Sequence, residues 1–131
     1  MIVLDASVTV ELLLGTGLGR RVAERIADPS LALHAPQLLD LEVAQALRRY
    51  AAVGAVAPER ADRAIEDLGQ LGITRWDHGP LVPRVWMLRH NLTAYDAAYV
   101  ALAEALDAVL LTADRRLAGA PGLPAPVEVL S

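Results

Sequence analysis

Met1-Ile2-Val3-Leu4-Asp5-Ala6-Ser7 opens the chain with an apolar run that stops abruptly on a carboxylate. A short apolar run without alternation, rich in β-branched residues, reads as a strand buried on both faces, the pattern of parallel sheets. Asp is depleted in strands, so Asp5 is expected at the strand's carboxyl end. Ser7 is expected as the N-cap of the mostly apolar segment Val8–Leu14. Open α/β sheets build their sites outside the carboxyl ends of their strands. Asp5 is therefore either a site residue or an ordinary turn or cap residue, and the rest of the chain has to separate the two.

Outward from this strand, Leu31–Ala35, Ile73–Trp76, Ala108–Thr112 and the weaker Val127–Leu130 read as strands two to five. Helical patterns lie between them. Val8–Leu14 is followed by the amphipathic Leu18–Asp28, which Pro29 stops. A long helix runs from Pro36 to about Val53, and another from Pro58 to about Leu71, with Gly72 as its C-cap. Pro80–His90 and the Ala-rich Thr93–Leu106 follow, then a single turn at Asp114–Ala118 and a loop at Gly119–Pro126. Strands alternating with helices predict an α/β fold, a five-stranded parallel sheet flanked by helices on both faces. A length of 131 residues fits one domain spanning residues 1–131.

Hydrophobic residues make up 54% of the chain, and the mean hydropathy is +0.35. That excess leaves room for an apolar surface that meets a partner. No run approaches the ~18 apolar residues of a membrane span, and the chain opens on the strand rather than on a basic leader, so no membrane association and a cytoplasmic location are expected. There is no Cys, which excludes disulfides and thiolate metal sites. His34 reads as a strand-end or packing residue, because no second His stands near it at ligand spacing. The net charge of −4 excludes a general nucleic-acid coat. All 12 basic residues are Arg. This suits bidentate phosphate contacts and equally reflects nothing more than composition.

Three more carboxylates stand in awkward places. On a helix Glu42 neighbours Leu38, Leu39, Gln45 and Ala46, so it points into or beside the buried face. There it needs a partner or a metal, unless it reaches water from the edge of the stripe. Asp96 lies three residues after Thr93, which fits a capping box; it also leans toward Tyr99 and Val100, and small residues follow it. Asp114 repeats the layout of Asp5, a buried strand running into a carboxylate and then a helical turn, with Thr112 adding a hydroxyl at that edge. Each admits a capping explanation alone. Together they propose that Asp5, Glu42, Asp96 and Asp114 converge in one cleft. An all-oxygen set suits Mg²⁺ or Mn²⁺ rather than Zn²⁺, and such an ion serves phosphodiester hydrolysis.

Four segments carry a resemblance to a known family: Ile2-Val3-Leu4-Asp5-Ala6-Ser7, the helix around Glu42 to Arg49, Leu92-Thr93-Ala94-Tyr95-Asp96 on to Glu104, and Leu111-Thr112-Ala113-Asp114 on to Leu117. In this order and spacing the chain resembles a PIN-domain protein, and among those the VapC-like toxins of bacterial toxin–antitoxin pairs. The resemblance implies a metal-dependent endoribonuclease with acidic positions at Asp5, Glu42, Asp96 and Asp114, an active-site hydroxyl at Thr112, and Ser7 beside the first Asp. It implies a PIN-like α/β/α sandwich with the first strand central, a homodimer, and a cognate antitoxin whose tail lies beside the acidic site. The antitoxin groove is expected along Val8–Leu14 and Leu18–Ile26. Arg115 and Arg116 stand where some members carry a further acidic residue, so one ion is expected, Mg²⁺ with Mn²⁺ as the alternative. Arg48, Arg49, Arg115 and Arg116 are candidates for holding RNA phosphates.

Other readings fit less of the chain. A PIN-like nuclease of RNA maturation or DNA cleavage would be expected to carry more chain to grip its substrate. A haloacid-dehalogenase-like phosphatase wants an Asp where Ser7 stands, and a receiver-like signalling domain needs a Lys that the chain lacks. A catalytically inactive RNA- or protein-binding module would be marked by loss of one acidic position, and all four are present.

Overall fold

Strand β1 (Ile2–Leu4) is the spine of the fold, and its three side chains are 0–2% exposed. A computed structural model describes residues 1–131. In it α1 (Ala6–Leu14) and α2 (Gly17–Arg25) lead to β2 (Leu33–Pro36). Next come α3 (Leu38–Ala52), α4 (Pro58–Gln70) and β3 (Ile73–Trp76). A single 3₁₀ turn at Gly79–Leu81 introduces α5 (Val82–Met87), followed by α6 (Ala94–Leu106) and β4 (Val109–Thr112). The chain ends with α7 (Arg115–Ala118) and β5 (Val127–Val129). The sheet has five strands in the order β3-β2-β1-β4-β5, all parallel, so β1 is central as expected. Helix pairs fill the crossovers from β1 to β2, β2 to β3 and β3 to β4.

Register decides what meets at the carboxyl edge. Leu4 pairs with Leu111, and the ladder continues one step further, the Asp5 N–H donating to the Leu111 carbonyl at 3.2 Å. Asp5 therefore comes out of the sheet beside Thr112. Helix α6 lies across β1, β2 and β4. Its residues from Ala97 to Ala103 are all buried, which explains why it is built of Ala with single large side chains: small residues let a helix settle onto the sheet.

The elements depart from expectation in several places. Asp5, not Ser7, is the N-cap of α1, its carboxylate accepting from the Val8 N–H. Helix α2 ends at Arg25, before Pro29; Asp28 then turns the chain by accepting from the Ser30 N–H and hydroxyl. Pro80–His90 is not one helix but the 3₁₀ turn and the short α5, because Pro80 and Pro83 remove two N–H groups from the first turns. Helices α1 and α2, where the antitoxin groove is expected, pack directly on each other. Gly19 sits so tightly on α1 that a Cβ there would stand 2.0 Å from the Glu11 carbonyl oxygen, and no large apolar side chain of either helix is fully exposed. Among the most exposed large apolar side chains are Leu41 on α3, Trp86 and Met87 on α5 and Tyr95 at the start of α6, each more than 60% exposed. No helix is long and apolar enough to cross a membrane.

Candidate active site

Asp5 leaves the sheet 7% exposed, with both carboxylate oxygens engaged. Oδ1 accepts from the Ser7 hydroxyl at 2.5 Å and the Val8 N–H at 3.2 Å. Oδ2 accepts from the Thr112 hydroxyl at 2.5 Å. The Thr9 hydroxyl donates to the Asp5 carbonyl at 2.7 Å. Burial raises the Asp5 carboxyl above its usual range, and the hydrogen bonds from Ser7, Thr112 and Val8 oppose that shift by favouring the anion. Every donor on this carboxylate is neutral.

The hydroxyls also tie the strand ends together. Thr112 Oγ1 accepts from the Asp114 N–H at 3.0 Å, and Ser7 Oγ accepts from the Ala113 N–H at 2.9 Å. Asp114 in turn is the N-cap of α7, Oδ1 accepting from the Arg116 N–H at 2.9 Å. The cap was the ordinary alternative for Asp5 and Asp114, and both residues are caps. Capping does not withdraw them, because both also face the same cleft.

That cleft has a volume of about 460 Å³ and lies at the carboxyl edge of β1 and β4. Asp5, Glu42, Asp96 and Asp114 all line it, with Ser7 and Glu11. Thr112 is wholly buried and stands behind Asp5 rather than on the cleft wall. Of the four candidate arginines, Arg49 and Arg116 reach the cleft; Arg48 and Arg115 do not line it.

The Asp96 capping box is half made. Thr93 Oγ1 accepts from the Asp96 N–H at 3.2 Å, but the carboxylate makes no return bond to the Thr93 N–H. Burial, then repulsion by Asp114, raise the Asp96 carboxyl above its usual range, with Arg116 and Thr93 acting the other way.

Sequence reasoning missed two residues here. Tyr99, 2% exposed, donates its hydroxyl to Glu42 Oε1 at 2.6 Å. Burial, the hydrogen bond to Glu42 and the charges of Glu42, Asp5 and Asp96 push its phenol far above the usual range, so it stays a donor. The pairing joins α6 to α3 and has no local signature. Glu11 did have one, being the only charged residue of α1; its carboxylate accepts from the Thr16 hydroxyl.

Whether these residues fit a cation follows from the donor set. The acids are hard oxygen ligands, and the pairing of Asp96 with Asp114 leaves negative charge that only the distant Arg116 guanidinium, 3.7 Å from Asp114, offsets. No three of the acidic side chains stand close enough to enclose an ion directly. An octahedral Mg²⁺ keeps several waters and takes only one or two carboxylates, so an open acidic cleft fits it, whereas a closed, water-free cation site does not.

Residues 2–123 match the family model described as PIN domain. The chain is 45% identical over 129 residues to the ribonuclease VapC1 of Mycobacterium tuberculosis, covering 98% of this chain and 96% of that one. It is 42% identical over 132 residues to the ribonuclease VapC9 of the same organism, covering 99% and 98%. A crystal structure of VapBC2 from Rickettsia felis, bound to a DNA fragment from its promoter, superposes with a TM-score of 0.72, covering all of both chains at 13% identity. At that identity the likeness is one of fold.

Proposed function

The chain belongs to the PIN-domain family, and on that premise we propose that it is a metal-dependent endoribonuclease, the toxin of a toxin–antitoxin pair, hydrolysing RNA phosphodiester bonds. The observation that carries the reading is the convergence of Asp5, Glu42, Asp96 and Asp114 on one cleft, where Arg116, 3.7 Å from Asp114, is the only cation paired with them. Mg²⁺ or Mn²⁺, one ion, supplies positive charge at the phosphodiester and Lewis acidity when bound. Asp5 and Asp114 would hold it, with Glu42 and Asp96 holding its water.

The chain's own residues divide the remaining work. Ser7, Thr112 and the Val8 N–H hold the Asp5 carboxylate in one orientation and favour its anion. Tyr99 fixes Glu42. The Asp96 carboxylate has no hydrogen-bond donor fixed on it beyond the influence of Thr93, so it is free to orient an attacking water and accept its proton. Arg49 and Arg116 face the cleft where phosphate oxygens would lie.

The name VapC carried by the relatives supports a cognate antitoxin as partner, and an RNA substrate agrees with a cytoplasmic location. The exposed strip of Val82, Trp86 and Met87 on α5 supports a homodimer, since an apolar strip of that kind is rarely left to water. The test is cleavage of a mixed-sequence single-stranded RNA by the purified protein, with Mg²⁺, with Mn²⁺ and with EDTA, beside Asp5→Asn. Cutting that needs the ion and is lost in Asp5→Asn supports the reading. Cutting that survives EDTA or Asp5→Asn refutes it.

A further inference from the structure

A second cavity opens beside the acidic cleft, between the first turns of α3 and α6, with a volume of about 390 Å³. Its walls are aliphatic on one side, Leu38 and Leu41, and aromatic on the other, Tyr95. Leu41 is 73% exposed and Tyr95 62% exposed. Neither the Tyr95 hydroxyl nor the Arg49 guanidinium has a hydrogen-bond or ion-pair partner within the chain, in contrast to Arg25, Arg75 and Arg84, which are paired with acids. Glu42 and Arg49 line both cavities, so the slot and the cleft are neighbours.

The combination is specific in its chemistry. A slot with two leucines on one wall and an aromatic ring on the other takes a planar apolar group. A free guanidinium at the slot's junction with a phosphodiester-cutting cleft takes a phosphate. A nucleotide of single-stranded RNA carries both: its unstacked bases settle on aromatic side chains while its phosphates meet Arg. Resting on the ribonuclease reading, we propose that the slot between Tyr95 and Leu38/Leu41 holds the base adjoining the scissile bond. Arg49 holds the phosphate that joins this base to the cleft. Tyr95 directly precedes Asp96 on α6, so seating the base also sets the scissile phosphate against the acidic residues. The slot is a stacking site and recognises a base as a π-surface before it recognises which base it is.

The test uses the full chain with Mn²⁺ and a short single-stranded RNA labelled so that cutting releases fluorescence. The same RNA is also made with a single abasic nucleotide at each position around the mapped cut. Tyr95→Ala should lower kcat/KM about tenfold or more, and Tyr95→Phe, which keeps the ring, should stay within about twofold of the wild type. One abasic position next to the cut should cost the wild type a similar factor and cost Tyr95→Ala nothing further. Unchanged cleavage by Tyr95→Ala overturns the slot. So does an abasic penalty of equal size in both proteins. A Tyr95→Ala protein that sediments as a smaller species than the wild type, with no position-dependent abasic effect, assigns the ring to contact between copies and also overturns it. Wild-type protein that cuts no RNA defeats the ribonuclease reading itself, whereas cutting that is indifferent to Tyr95 defeats only the slot.

Discussion

Asp40 and Glu42 stand two residues apart on α3 and face opposite surroundings. Asp40 accepts from Arg75 Nε at 3.3 Å and NH2 at 2.9 Å. The same guanidinium also donates to the carbonyls of Leu68, Leu71 and Ile73, closing the end of α4. Nearby, His78 Nε2 accepts from the Leu38 N–H and the Trp76 indole donates to His34 Nδ1, leaving only His34 Nε2 without a partner. On this side of the sheet charge meets charge. Glu42 meets only the neutral Tyr99 hydroxyl, and beyond it lie Asp5, Asp96 and Asp114. The same edge of one sheet is thus neutralised at β2 and β3 and left anionic at β1 and β4. The first arrangement stabilises the fold. The second holds unbalanced charge that a cation would relieve, which is the property a metal-dependent site needs.

The comparison breaks most visibly through activity. Asp114→Asn should lower RNA cleavage by ~10²-fold or more, the size of losing several kcal/mol of charge stabilisation in the transition state, while Asp40→Asn should leave cleavage per folded molecule unchanged. Equal losses in a turnover assay would erase the distinction between the two regions. Arg75→Ala should cost about 2 kcal/mol of stability, because it strips hydrogen bonds from Asp40 and from three carbonyls at once; urea denaturation measures it. Tyr99→Phe sharpens the contrast. It should cost about 1 kcal/mol of stability and lower cleavage by about tenfold, since Glu42 loses its only donor; an unchanged rate would remove Glu42 positioning from the account.

The smallest expected effect has a diagnostic sign. Burial and the Asp114 charge raise the Asp96 carboxyl in the folded protein, so the folded state holds that proton to higher pH than the unfolded chain does. This group's contribution is favourable below its ordinary value of 3.8 and is lost as pH rises through the raised one. At neutral pH the ionised group is a cost to the metal-free fold. Asp96→Asn should therefore raise the melting temperature at pH 7 without metal by ~2–4 °C, and the gain should vanish toward pH 4. A lowered melting temperature across that range would return Asp96 to a purely capping part.

Much of this was legible along the chain. Buried strands announced themselves as unbroken apolar runs, and Ile73–Trp76 falls where its pattern put it. The four carboxylates were conspicuous because each interrupts an apolar context. Less legible were features set by competition between neighbours. Asp5 takes the cap from Ser7 because the Ser7 hydroxyl is already committed to Asp5 and to the Ala113 N–H, 106 residues away. Two prolines split the expected Pro80–His90 helix. Tyr99 was beyond reach as a positioning group, since its partner lies 57 residues away and depends on the strand order. The close α1–α2 contact turns on one glycine, whose packing no periodicity reveals.

The most direct test of the account is isothermal titration of Mn²⁺ into the wild-type protein and into the Asp5→Asn, Asp96→Asn double variant. The account predicts one ion bound by the wild type and none by the double variant. Undiminished binding by the double variant would contradict it, and would place any metal chemistry away from the carboxyl edge of β1 and β4.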